Sequence, residues 1–173
     1  MNHLKVQLRY VLPIWLVQLL CSWLPDNRIT IKIRGFLVGI FLPGFPVSLS
    51  LAKDVTILAP QNLHLGKNIY FAKGCWINAA GSVSIEDEVM FGPYVVVTSS
   101  RHTKKLGSYR FGRVKVKKIF IAKGVWVGAH AVILPGASIG LGSLISAMSV
   151  VRGSVKDDEL VGGLIARSLG VAK

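Results

Sequence analysis

Residues 121–140 read "IAKGVWVGAHAVILPGASIG", with an aliphatic side chain at Ile121, Val127, Ile133 and Ile139 and a small or flexible neighbour close behind each. A period of six matches neither an α-helix nor a lone strand, whose apolar faces recur at 3.6 and 2.0 residues. The same spacing extends in both directions. Upstream it runs through Phe45, Leu51 and Ile57, then, after a two-residue step at Leu63, through Leu65, Phe71 and Ile77. A second such step at Val83 leads to Ile85, Phe91 and Val97, and downstream it continues through Ile145 and Val151. Every one of these positions is aliphatic or Phe in a chain that is 51% apolar, where chance would fill about half of them.

The residue after each ladder position is mostly small or acidic (Ala52, Gly66, Ala72, Glu86, Gly92, Ala122, Gly128, Gly140). The fifth position is mostly small or β-branched (Val55, Val89, Val95, Val125, Ala131, Ala137, Ser143, Ser149, Val155). Two inward side chains per six residues describe one flat side and one corner, and three sides close a triangular coil of about eighteen residues. Stacked coils pair their backbones at roughly 4.8 Å. The expected fold is therefore an all-β solenoid of about five coils, at 45–64, 65–84, 85–120, 121–138 and 139–156. Residues 103–118 are surplus to the third coil and must leave it as a loop. A tail spans 157–173.

These motifs resemble the hexapeptide-repeat acyltransferases, and most closely their maltose, galactoside and exopolysaccharide acetyltransferase branch. The resemblance covers about 45–170 and implies a left-handed parallel β-helix that transfers an acetyl group from acetyl-coenzyme A to a sugar hydroxyl. The family's string before its catalytic histidine appears here as Gly92-Pro93-Tyr94-Val95-Val96-Val97-Thr98-Ser99-Ser100-Arg101-His102, so His102 is the implied general base. An imidazole suits the task, because its ordinary pKa lets it accept the hydroxyl proton near neutrality. The resemblance also implies a cofactor groove between subunits, with Trp126, Gly128, Ala129, Ser146, Ala147 and, on a phosphate, Arg167 as its candidates. Ile165 stands where the family usually has proline, which leaves the path of the tail open. The family's acceptor-side Asn and Asp are Ala72 and Ala80 here. The acceptor contacts must therefore differ, and Asn78 and Arg101 are the candidates.

A formal charge of +13, from 21 Lys and Arg against 8 Asp and Glu, favours anionic partners. Residues 101–118 hold eight basic side chains and no acid, beside the proposed base. No aromatic-basic recognition motif is present, so no nucleic-acid partner is expected. Two distant cysteines and no CxxC predict buried, reduced thiols in the cytoplasm, and no metal is expected.

Residues 1–44 form an apolar, helical start. The uncharged run 11–24 is shorter than the ~20 residues that span a bilayer. Its basic flanks and two tryptophans suit a helix lying on the inner face of the cytoplasmic membrane, or one that caps the solenoid. The flat sides and the family imply a homotrimer with sites at its seams, acting on a sugar of a surface polysaccharide or a lipid-linked acceptor. Other readings stay open: N-acetylation of an amino sugar nucleotide, or a non-catalytic trimeric scaffold. A zinc hydratase on the same solenoid needs three histidines converging on a metal, and His64, His102 and His130 do not share one corner in this register.

Overall fold

The computed structural model describes residues 3–164 and the backbone of 167–171. Three parallel sheets form the sides of a solenoid. Sheet A stacks Ser50–Leu51, Tyr70–Phe71, Met90–Phe91, Trp126–Val127, Leu144–Ile145 and Glu159–Gly162 in that order. Sheet B stacks Thr56–Leu58, Trp76–Asn78, Val96–Thr98, Val132–Ile133 and Val150–Val151. Sheet C stacks Leu63–Leu65, Val83–Ile85, Ile119–Ile121, Ser138–Ile139 and Ser154–Val155.

The backbone register reproduces the hexad ladder. Leu51, Phe71, Phe91, Val127 and Ile145 pair in succession on sheet A. Ile57, Ile77, Val97, Ile133 and Val151 do so on sheet B, and Leu65, Ile85, Ile121 and Ile139 on sheet C. Burial follows coverage: the ladder is closed to solvent in the middle coils, whereas Ile57 and Leu65, in the terminal coil, are only partly buried. The two-residue steps are longer sides on sheet C, where Leu63, Val83 and Ile119 also point inward.

The small residue after the ladder position has a steric reason. A Cβ on Gly92 would lie 2.7 Å from the Ala129 amide nitrogen, because the next coil's corner sits directly on it. The corners between sheets A and B stack in a column with left-handed φ at Asp54, Gly74, Tyr94, His130 and Met148. Only one of these five is glycine, so the closing of the coil imposes the conformation against a local cost of order 1–2 kcal/mol per residue.

Three expectations are corrected. Phe45 is not a ladder residue: it is 46% exposed, at φ 48°, in the turn that carries the chain into the first coil. Val155 is not a fifth-position residue but continues the sheet C ladder opposite Ile139. The corner at Gly153, with φ 98°, is two residues tighter there than its counterparts, so the ladder steps from Val151 to Val155. Third, the coil count rises to about six, since Glu159–Gly162, read from the sequence as part of the tail, pairs with Leu144–Ile145. Arg167–Val171 then runs antiparallel on that strand and covers the edge of sheet A.

The helical start comprises α1 (His3–Val6), a π-helical turn (Gln7–Val11), α2 (Leu12–Leu20) and α3 (Thr30–Gly39). Pro13 sits in the first turn of α2, where its missing N–H costs nothing. Asn27 Oδ1 accepts the Ile29 and Thr30 amides and starts α3. α3 packs on Ser50–Leu51, with Gly35 pressed against the Leu49 carbonyl. Arg34, 4% exposed, fixes this contact by donating to Leu51 O (2.7 Å) and to Asp26 Oδ1 (3.0 Å). No helix among the described residues is long and apolar enough to cross a membrane.

Cys21 and Cys75 are both free and buried. Burial pushes the Cys75 thiol from its ordinary 9.0 up to about 11, against smaller opposing effects of nearby backbone hydrogen bonds. The folded protein keeps this proton after the unfolded chain has lost it. The thiol's contribution to stability is therefore complete below about pH 9 and is lost as the pH rises toward 11. Native protein at neutral pH is expected to leave Cys75 unlabelled by an aromatic disulfide reagent while denatured protein reacts at once. Rapid labelling of the native state would show the coil to be open there.

Candidate active site

The repeat breaks after Thr98. Ser100–His102 pairs antiparallel with Val114–Val116, His102 opposite Val114, to make a ribbon that projects from the corner between sheets B and C. The excursion therefore starts at Ser100, not after His102, and His102 stands out along the ribbon rather than on the coil.

Ser99 makes the departure feasible. It is fully buried; its hydroxyl donates to Asn78 O (2.8 Å) and accepts from the Gly81 amide (2.8 Å), and its carbonyl accepts from the Lys117 amide (2.9 Å). The coil is thus closed across the base of the ribbon, and Ile119 resumes sheet C in register with Val83. Asn78 braces the same base: its Nδ2 donates to Ser100 Oγ (2.9 Å) and its Oδ1 accepts the Ala80 amide (3.0 Å).

Along the ribbon, side chains alternate between faces. Arg101 turns into a cavity of about 340 Å³ shared with Thr98, Ser100, Lys117, Leu134, Pro135 and Arg152. Three cations and no carboxylate line it. Lys117 and Arg152 had no signal in the sequence beyond charge, because only the stacking of successive coils brings them beside Arg101. His102, the next residue along the ribbon, does not line this cavity; it is exposed, and no hydrogen bond or ion pair to its imidazole occurs among the described residues.

The cofactor candidates occupy a different edge. Gly128 and Ala129 form the corner between sheets A and B, directly under Ser146 and Ala147 of the next coil: a Cβ on Gly128 would meet the Ala147 amide nitrogen at 2.5 Å. With Gly92 below, they make a strip of small residues along the A–B edge. Trp126, 49% exposed, flanks it on sheet A beside Met90. The stacked rings of Tyr94 and His130, 5.2 Å apart, flank the other side. Ile165 and the side chain of Arg167 lie outside the described residues.

Within one protomer, sheet B separates His102 from this strip. The histidines do not gather: His64 is on sheet C, His102 on the ribbon and His130 on the A–B corner, and no group of three metal-binding side chains occurs among the described residues. A cavity of about 580 Å³ on the outer face of sheet C carries both charge signs; it is lined by His64 but by none of the catalytic, cofactor or acceptor candidates.

No protein-family model matches the chain. It is 32% identical over 104 residues to the galactoside O-acetyltransferase of Lactococcus lactis, a match covering 57% of this chain and 50% of the relative. The chain thus spans about half the length of that relative. Among solved structures, a galactoside acetyltransferase in complex with coenzyme A superposes with a TM-score of 0.82, covering 100% of this chain and 84% of that one at 23% identity. A hexapeptide-repeat acetyltransferase of Vibrio cholerae, complexed with acetyl-coenzyme A, gives 0.83, with coverage of 99% and 91% and 23% identity. At that identity the superpositions establish a shared fold, and the sequence match is to part of a galactoside O-acetyltransferase.

Proposed function

We propose that the protein transfers an acetyl group from acetyl-coenzyme A to a sugar hydroxyl, as a homotrimer with His102 as general base. One observation carries this reading: each protomer presents an exposed imidazole on a ribbon at its B–C edge and a strip of small residues at its A–B edge. Neither edge is a site alone. Threefold assembly places one protomer's ribbon against the next protomer's strip and encloses the imidazole between them. The relatives support the donor, since the galactoside acetyltransferase structure contains coenzyme A and the Vibrio cholerae structure acetyl-coenzyme A.

In this arrangement the strip at Gly92, Gly128, Ala129, Ser146 and Ala147 lets an extended thioester lie close to backbone, with Trp126 beside it and Arg167 as the phosphate partner at the tail. The His102 imidazole accepts the acceptor's hydroxyl proton as that oxygen attacks the thioester carbonyl. When the carbon–sulfur bond breaks, the imidazolium returns the proton to the departing thiolate. The net change is one ester formed and one thiol released. Asn78 holds the ribbon's base at the acceptor end. Arg101, with Lys117 and Arg152, offers a positive cavity for an anionic part of the acceptor, as expected for a sugar phosphate or a lipid-diphosphate-linked sugar of surface polysaccharide synthesis.

A panel of free, phosphorylated and nucleotide-linked sugars, incubated with acetyl-coenzyme A and analysed by mass, tests the reading. The expected product gains one acetyl group in an alkali-labile ester. An alkali-stable amide on an amino sugar would overturn O-acetylation, and no acetyl transfer to any acceptor would overturn the enzyme assignment.

A further inference from the structure

The helices at the first end of the solenoid are apolar on both sides. Ile14 of α2, Val38 of α3 and Leu42 just beyond it are buried against the first coil. The opposite side should then be polar, as on an ordinary surface helix. Instead Leu4, Leu8, Leu12, Trp15, Leu19 and Trp23 recur at three- and four-residue spacing and are exposed, Trp23 at 77%. A second stripe, Ile29, Ile33, Phe36 and Ile40, is exposed on α3 and its flanks. α2 and α3 pack on each other, so these exposed apolar residues gather at one end of the solenoid rather than scattering singly over its surface.

Charge identifies what covers it. The first 53 residues contain Lys5, Arg9, Arg28, Lys32, Arg34 and Lys53 but one acid, Asp26. That acid is engaged by Arg34 and by the Lys53 amide. No ion pair among the described residues engages Lys5, Arg9, Arg28 or Lys32. A second copy docked on this face would bring the same cations together, whereas an anionic surface would neutralise them. Lys32 also stands at the rim of an apolar cavity of about 360 Å³ lined by Phe36, Phe45, Pro46, Val47 and Leu49. An ammonium above an apolar slot is the chemistry that receives a lipid phosphate and its acyl chain. The helices are too short to span, so the face lies on a bilayer rather than in it.

We infer that the outer face of α1–α3 docks the protein on an anionic lipid bilayer. Because α3 packs on Ser50–Leu51, the first strand of sheet A, the docked face is at one end of the solenoid and leaves its sides free. The inference goes beyond the transferase reading and needs neither donor nor acceptor to be tested.

The full chain is mixed with phosphatidylcholine vesicles, with and without about one third phosphatidylglycerol, and sedimented. Expected are co-sedimentation with the anionic vesicles only, release by high salt, and at least tenfold weaker partitioning for Trp15→Ser/Trp23→Ser and for Lys5→Gln/Arg9→Gln/Arg28→Gln/Lys32→Gln. Every replaced side chain is exposed or flanks the exposed face, and unchanged thermal midpoints confirm folding. If the wild type stays in the supernatant, or sediments equally with neutral vesicles, the inference is overturned. It is also overturned if the tryptophan variant loses oligomer mass rather than lipid affinity, because the face then belongs to a second copy.

Discussion

Replacing His102 with Ala is expected to lower kcat/KM for acetyl transfer by ~10²–10⁴, a loss of about 3–5 kcal/mol of transition-state stabilisation. Coenzyme A affinity and the thermal midpoint should stay near wild type. The reason is placement. His102 is an exposed side chain on a ribbon outside the coil, paired only through its backbone with Val114. Its removal opens no cavity and breaks no side-chain hydrogen bond of the fold. His102→Gln keeps much of the shape and some hydrogen-bonding capacity but cannot take the proton, so it should be as inactive as the alanine variant. Steady-state kinetics and coenzyme A titration separate the outcomes: turnover within tenfold of wild type in both variants removes His102 as the base.

The largest effect on stability is expected from Phe91→Ala, at ~3–5 kcal/mol in equilibrium urea unfolding. Phe71 and Phe91 are fully buried and stacked, with centroids 4.7 Å apart and planes 14° from parallel. They are successive rungs of one ladder, and Val127 lies on the next. In a solenoid each coil is covered mainly by its two neighbours, so a hole at this rung weakens both interfaces. Phe71→Ala/Phe91→Ala should cost less than the sum of the single changes, because each ring already loses its partner in the other's absence. Full additivity would mean that the rings do not act as a stack.

The ladder was legible in the sequence because one geometric rule, two inward side chains per six residues, is repeated by coils that differ little. The failures fall where a local event outweighs the rule. Phe45 has the right spacing, but the chain must turn out of α3 there, through Gly44 and Phe45 at positive φ, before the first coil can begin. Val155 has the wrong spacing for its role, because the tight corner at Gly153 shortens that side.

The candidate site was signalled in the sequence in part. His102, Arg101 and the small residues at 128, 129, 146 and 147 carry spacing or motif signals. The start of the ribbon at Ser100 did not, because it depends on antiparallel pairing with a run that looks merely basic, and on Ser99, whose clasp to Asn78 and Gly81 joins residues about twenty apart in sequence. Arg152 carried none either. It reaches the Arg101 cavity only because the fifth coil stacks on the fourth beside the ribbon's base. The separation of His102 and the strip of small residues onto different edges also appears only once the triangle is closed.

The most direct test is a crystal structure of the assembled protein with coenzyme A. The account predicts the nucleotide extended along the Gly92, Gly128 and Ala147 edge of one protomer, with its sulfur about 3–4 Å from the His102 imidazole of the adjacent one. Coenzyme A bound elsewhere, or a sulfur facing an edge with no His102 near it, would contradict it.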